Sequence, residues 1–454
     1  SERVLRKRMA DPERMSLGTR CIHAGHPPDP SGAVVQPIYQ SAVYHMPAAK
    51  GGRRKDYTEV RYARLNNSPN HTALAAKISS LEGSEAAVVA ASGMAAISTT
   101  IMALLRPGDH VLAQETLYGG TIAFLDKVAR PFGVEVTYVD MSGGEEAWEA
   151  AVTDRTKMFY VESISNPLCQ VTDLAAVASF AAHRAASGKA RCLVVCDNTF
   201  GTPINLRPVE AGLCDLVVHS CTKYYAGHSD VTAGCVAGSK ELVGKVSECL
   251  ANLGGTLDPH ACFLLDRGIK TLALRVRQQN SNAQAVAEHL KKHRGVEAVY
   301  YPGLQTFSSS KGDGAAGGWA GFGGMCSFEV RCKSETGMQA FLSALSLIPF
   351  AASLGGVESI LSRPVVASHA GLTPQERGRL GIKDTLLRLS VGIEEVNDLT
   401  DELDLAFEAV AVAEAYLNES PFPSAMQPSG LPHSHGHGHS HGHGHARVSS
   451  HEGG

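Results

Sequence analysis

MFYVESISNPLCQVTDLAAVASFAAHRAASGKARCLVVCDNTFGTP, residues 158–203, decides the fold. Residues 158–162 and 192–197 are nearly continuous apolar runs, and residues 174–186 between them carry a helical pattern. Runs this apolar suit strands covered on both faces rather than strands with one wet face. The same rhythm extends outward. Residues 86–91, 110–114, 134–140, 213–219 and 233–237 read as further strands, and 94–105 and 121–130 as helices. The alternation predicts an α/β domain built on a mostly parallel sheet. Ligands of such sheets sit at the carboxyl ends of the strands, so the polar residues just past those ends are the ones to inspect.

After about residue 260 the texture changes. A long helical pattern spans 264–293, strands are predicted at 296–301, 325–330 and 386–391, and helices at 336–344 and 397–417. A Gly-rich stretch, KGDGAAGGWAGFGG, fills 311–324. This reads as a smaller α+β domain. The predicted organisation is an arm over 1–60, a large domain over 61–260, a small domain over 261–418 and a tail over 419–454. Residues 421–432 read as a linker, and HSHGHGHSHGHGH (433–445) is low complexity.

Composition excludes several classes. The chain has 454 residues, 44% of them hydrophobic and 19% charged, enough for a sizeable core. Lys and Arg number 41 against 45 Asp and Glu, a net charge of −4, which argues against a non-specific nucleic-acid or basic membrane-surface binder. No apolar stretch reaches the roughly 20 residues that span a bilayer. The longest, 86–97, is interrupted by Ser92 and Gly93. The eleven Cys are scattered from Cys21 to Cys332 without paired short spacings, which predicts buried thiols in a reducing compartment. The chain starts with Ser, and its basic opening, SERVLRKRMADPERM, reads as a solvated arm rather than a leader remnant. A cytoplasmic protein is expected, with an organelle matrix as the alternative.

Three strand ends carry chemistry. SGMAA (92–96) is a strand-to-helix turn, and free N–H groups at a helix N-terminus bind phosphate. CDNTFGTP (196–203) places Asp197 at the end of a buried strand, where a carboxylate needs a partner. HSCTKYYAGHSDVTAG (219–234) places Lys223 at another strand end, just after the hydroxyls of Ser220 and Thr222. Each alone has an ordinary explanation: a common turn, a helix cap, a solvated loop lysine. Together they are the parts of a pyridoxal-phosphate site. A lysine forms a Schiff base with the cofactor, an acid keeps the pyridine nitrogen protonated, and amides and hydroxyls take the phosphate.

The chain resembles the Cys/Met-metabolism (transsulfuration) family of pyridoxal-phosphate enzymes, from about Thr19 to Leu417. The motifs that carry the resemblance occur in one order: RYARLNNSPNHTALAAKISSLEG (61–83), SGMAAI (92–97), ETLYGGT (115–121), ESISNPLCQVTD (162–173), CDNTFGTP, HSCTKYYAGHSDVTAG and LLRLSVGIE (386–394). The resemblance implies the aspartate-aminotransferase-like fold and the following roles. Lys223 matches the Schiff-base lysine and Asp197 the pyridinium partner. Gly93, Met94, Ser220 and Thr222 match the phosphate cradle. Tyr118 matches a tyrosine that stacks on the cofactor ring and moves protons. Tyr62 and Arg64 match a pair that reaches the phosphate of a neighbouring subunit, which implies at least a dimer; the resemblance further implies the family's usual homotetramer, a dimer of such dimers. Arg388 matches the clamp on the substrate carboxylate, a task suited to its planar fork. Asn166 matches a residue touching ring oxygen and substrate, and Ser353 one near the lysine. His219, His228 and Cys221 read as packing residues.

The implied reaction is γ-elimination of L-cystathionine to cysteine, 2-oxobutyrate and ammonia. Methionine γ-cleavage, γ-replacement and cystathionine β-cleavage are the alternatives. Two positions depart from family patterns: Gly120 stands where methionine-cleaving members carry Cys, and Ala352 where several cystathionine-acting members carry Glu. An inactive paralogue is the reading from another class, as is a metal-binding role for the tail. His433, His435, His437, His439, His441, His443 and His445 offer imidazoles without fixed geometry, suited to a weak Ni, Cu or Zn site. No metal site is expected in the core.

Overall fold

The structure, a computed structural model, describes residues 14–26, 29–46, 60–189, 191–304 and 318–419. The chain's first thirteen residues and the tail histidines 433–445 lie outside the described residues. The described residues up to Glu414 form one compact unit, and the described residues after it are the last turn of helix Val396–Glu419.

All seven runs read as strands before residue 260 are strands: β1 (Ala86–Ala90), β2 (His110–Gln114), β3 (Glu135–Val139), β4 (Thr156–Glu162), β5 (Leu193–Asp197), β6 (Leu216–His219) and β7 (Gly234–Gly238). They form one sheet in the order β1-β7-β6-β5-β4-β2-β3. Pairing is parallel throughout except at β7, which runs antiparallel to both β1 and β6. The cause is local: β7 returns from β6 through turns rather than a crossover helix. The unbroken apolar runs follow from burial on both faces. In β5, Val194 and Cys196 join one core and Val195 the other. Each such fully buried aliphatic side chain contributes roughly 1.5–3 kcal/mol.

The helices begin where the sequence supplies caps. Ser92 caps Gly93–Leu104 by accepting from the Ala95 N–H, and Asp173 caps Leu174–Ala186 in the same way through Ala176. Ser68 caps Pro69–Glu82, which places proline in the first turn, where its missing N–H costs nothing.

A second sheet follows, comprising β8 (Val296–Tyr300), β9 (Met325–Val330), β10 (Ile360–Ser362) and β11 (Leu386–Ser390), all antiparallel, in the order β10-β11-β9-β8. Its core joins Phe328, Leu387 and Leu389 to Val286 and Leu290 of helix Leu272–Lys292 and to Leu403 and Phe407 of the last helix. Two features differ from expectation. β10 has only three residues and shows no readable period. The pattern over 264–293 is two helices, Pro259–Ile269 and Leu272–Lys292. Arg275 sustains the break: its guanidinium donates to Gly268 O at 2.8 Å and to Tyr224 O at 2.7 Å, and its Nε to Thr271 Oγ1 at 3.1 Å. Carbonyls orphaned at the break thus keep partners. No helix among the described residues is long and apolar enough to cross a membrane.

Candidate active site

The carboxyl ends of β4, β5 and β6 open into a cavity of about 520 Å³. Of the twelve predicted site residues, ten line it: Gly93, Met94, Tyr118, Asn166, Asp197, Ser220, Thr222, Lys223, Ser353 and Arg388. Tyr62 and Arg64 do not. The Arg64 guanidinium lies 5.8 Å from the Tyr62 ring and donates to Ala251 O at 2.7 Å, and the Arg64 side chain is exposed.

At one end, helix Gly93–Leu104 begins against the turn after β6. A Cβ at Gly93 would come within 2.7 Å of Ser220 Cβ and 2.8 Å of its Oγ. Only glycine lets the first turn approach that hydroxyl. The side chain of Ser92 satisfies the Ala95 N–H, while the first two N–H groups of a helix point outward, toward any anion placed there.

Asp197 ends β5, buried. Thr199 donates to Asp197 Oδ1 twice, from its hydroxyl at 2.5 Å and from its backbone N–H at 3.0 Å. Both bonds fall on Oδ1, which leaves Oδ2 for a ligand. The Thr199 hydroxyl also accepts from the Ser220 N–H at 2.9 Å, tying the two strand ends together. Burial pushes the Asp197 carboxyl up, opposed by the Thr199 bonds and by His219. A protonated ring nitrogen against Oδ2 would favour the carboxylate.

Lys223 sits in the turn after β6, its Nζ donating to Ser353 Oγ at 2.8 Å. Burial, and secondarily Arg388, pulls its amine down to about 8. Ser353 holds a left-handed backbone, φ 91°, rare and costly for a residue with a side chain. Two residues on, Gly355 (φ 77°) packs on the lysine's own backbone: a Cβ there would lie 2.8 Å from Tyr224 N. The strained serine is therefore pressed against the amine it orients.

Arg388 projects from the middle of β11 and is 5% exposed. Nη1 donates to Asn166 Oδ1 at 2.9 Å and Nη2 to Ser353 O at 3.4 Å, while buried Nε has no partner. Among the described residues no carboxylate pairs with it. A buried charge without a counter-ion costs several kcal/mol, so the site is built to receive an anion.

Sequence reading passed over three contributors. Glu162 ends β4 in register with Asp197 and lines the cavity; a charged end to an apolar strand, the signal used for Asp197, marks it equally. Thr199 stands two residues after Asp197, a spacing that suits a local side-chain bond. His369, buried and bonded through Nδ1 to Ser368 Oγ at 2.8 Å, had no sequence signal. His219, read as packing, is buried, 2.8 Å from Glu82.

These residues suit pyridoxal phosphate: a helix start and hydroxyls for phosphate, a half-bonded carboxylate for the ring nitrogen, and a lysine of lowered basicity. Comparison with known proteins agrees. The chain belongs to the family of Cys/Met metabolism PLP-dependent enzymes, whose model matches residues 18–408. It is thus a pyridoxal-phosphate-dependent lyase of sulfur amino acid metabolism. It is 43% identical over 401 residues to L-methionine gamma-lyase of Pseudomonas putida, covering 87% of this chain and 98% of that one. It is 42% identical over 398 residues to cystathionine gamma-lyase of Bacillus subtilis (strain 168), covering 87% and 100%. The crystal structure of cystathionine gamma-lyase from Lactobacillus plantarum complexed with L-serine superposes with a TM-score of 0.78 at 35% identity, covering 87% of this chain and 100% of that one. The aspartate-aminotransferase-like fold expected from sequence agrees with that likeness.

The lysine's lowered basicity predicts a pH profile. Only the neutral amine attacks an aldehyde, and its fraction grows as pH rises through the pKa. Cofactor-stripped protein mixed with pyridoxal phosphate should regain its visible absorption band at a rate that climbs through pH about 8 and then levels. A rise continuing into the range of an ordinary lysine, about 10.4, would contradict the burial argument.

Proposed function

We propose that the protein catalyses γ-elimination from an L-sulfur amino acid, with L-cystathionine as substrate. The observation that carries this reading is the buried Arg388, which no carboxylate among the described residues pairs with, near a lysine whose burial lowers the basicity of its amine. The pair suits an α-carboxylate held beside a base. The cavity, about 520 Å³, lies within the range that encloses sizeable small molecules, and so supports a cofactor together with a two-ended substrate.

The bound cofactor supplies an electron sink for the carbanion. Gly93 and Met94 N–H groups, with the Ser220 and Thr222 hydroxyls, would hold its phosphate, and Asp197 Oδ2 would keep its ring nitrogen protonated. Arg388, aligned by Asn166, takes the substrate carboxylate. Lys223 Nζ, oriented by Ser353, removes the α-proton and then serves the β-carbon. The Tyr118 hydroxyl returns a proton to the departing sulfur. Tyr62 and Arg64 serve the phosphate of a neighbouring copy in a homotetramer. Their distance from this chain's cavity lining supports that assignment, as do the exposed apolar side chains Val34, Val43 and Met46. The division at about residue 260 and a cytoplasmic location, in keeping with eleven free cysteines, belong to the same proposal.

One observation favours a second reading. Ala352 lines the cavity and offers no carboxylate to a distal ammonium group, which suits methionine-like thioethers. Incubation with cystathionine, methionine, cysteine, homocysteine and an O-acylhomoserine plus thiol separates the readings. The proposal expects 2-oxobutyrate, with cystathionine giving the highest kcat/KM. Pyruvate from cystathionine would overturn γ-cleavage, and preference for methionine would replace the substrate.

A further inference from the structure

Glu162 closes the strand end beside Asp197 but makes none of the contacts assigned to cofactor or substrate above. Its Oε1 accepts from the Tyr118 N–H at 2.7 Å and its Oε2 from the Asn166 N–H at 3.2 Å. Asn166 in turn aligns Arg388 through Oδ1. One buried carboxyl therefore holds the backbone at both the tyrosine and the residue that aims the arginine.

Glu162 is itself fixed. Its N–H donates to Gln114 Oε1 at 2.9 Å, and its carbonyl accepts from Thr172 Oγ1 at 2.7 Å. His369 is buried, its Nδ1 bonded to Ser368 Oγ at 2.8 Å, and Ala367 and Ser368 line the cavity. The peptide link between Leu117 and Tyr118 is held at its N–H by a carboxylate. Burial, then Asp197, pushes the Glu162 carboxyl up. A neutral acid can sit beside Asp197 without like-charge repulsion.

We propose that Glu162 is a positioning residue for the lyase reaction, a two-point brace that sets Tyr118 and, through Asn166, Arg388 in one register. The inference rests on the roles proposed for those two residues. A misplacement of about 1 Å costs on the order of 100-fold in rate when reacting groups must align, and a brace made of two hydrogen bonds controls displacements of that size.

The test compares Glu162→Gln and Glu162→Leu holoenzymes, with rates normalised to bound cofactor, on any substrate the parent turns over. Glutamine keeps one acceptor and leucine none. Glu162→Leu should lose about 100-fold in kcat/KM and Glu162→Gln about 10-fold, both with raised KM and an altered visible circular dichroism band of the bound cofactor. Normalised kcat and KM within about 2-fold of the parent for both variants, whatever their melting temperatures, overturn the proposal, because simple packing would change only the folded fraction. Equal deficits in both variants also overturn it. Tyr118→Phe and Arg388→Lys serve as controls. If they retain full activity, the roles themselves fail; if they lose activity while the Glu162 variants do not, only the brace fails.

Discussion

Lys223→Ala should lose at least about 10³-fold in kcat, the combined loss of a covalent anchor and a positioned base. Two readouts check the assignment beyond rate. Borohydride treatment of the parent should leave the cofactor permanently attached to the peptide containing Lys223, detectable by mass spectrometry, and the variant should carry no such adduct. The fold should survive, because the lysine's only side-chain hydrogen bond among the described residues is to Ser353 and burying an amine disfavours its charged form. Retained turnover with an unchanged visible band would exclude Lys223 as the anchor.

Arg388→Met should lose about 3 kcal/mol of transition-state binding, or roughly 150-fold in kcat/KM, as expected for removing hydrogen bonds to a charged carboxylate. The loss should fall mainly on KM. Stability should respond differently from activity. The guanidinium is buried without a counter-ion among the described residues, and exchange of buried charge for an apolar group of similar shape is often neutral or stabilising. The substrate-free variant should therefore melt within a few degrees of the parent or above it, a shift of ~1 kcal/mol being worth only a few degrees in a chain this size. Activity loss matched by a large fall in melting temperature would make Arg388 a structural residue. Arg388→Lys keeps the charge but not the fork, and should fall between the two.

The large sheet was legible because both its faces are buried. Val194, Val195 and Cys196 are apolar for two different cores, so the strand appears as a run that ends where Asp197 begins. Lys223 was legible for the same reason, through its place after β6. Glu162 was equally visible in the same pattern, yet it was read only as part of a motif. β10 escaped because three residues cannot show a period. The break between the two helices at 259–292 escaped because its cause is not local: Arg275 reaches back across the break and onto Tyr224 O. His369 was hidden because it lies in no motif, and only the folded chain buries it beside residues that line the cavity. Tyr62 and Arg64 were named only through family resemblance, and no geometry within one copy brings them to the cavity.

The turn that carries Lys223 is finished by parts of the chain remote from it. Arg275 takes the carbonyl of Tyr224, and Gly355 lies against the Lys223–Tyr224 link while Ser353 meets the amine. The lysine's scaffold is thus split among residues near 223, 275 and 355. A chimera that exchanges the C-terminal third between relatives would also exchange part of the lysine's support. Exchange of the 352–355 loop should therefore move the orientation of the central amine together with the wall of the cavity, because Ala352, Ser353 and Leu354 line the one and Ser353 holds the other.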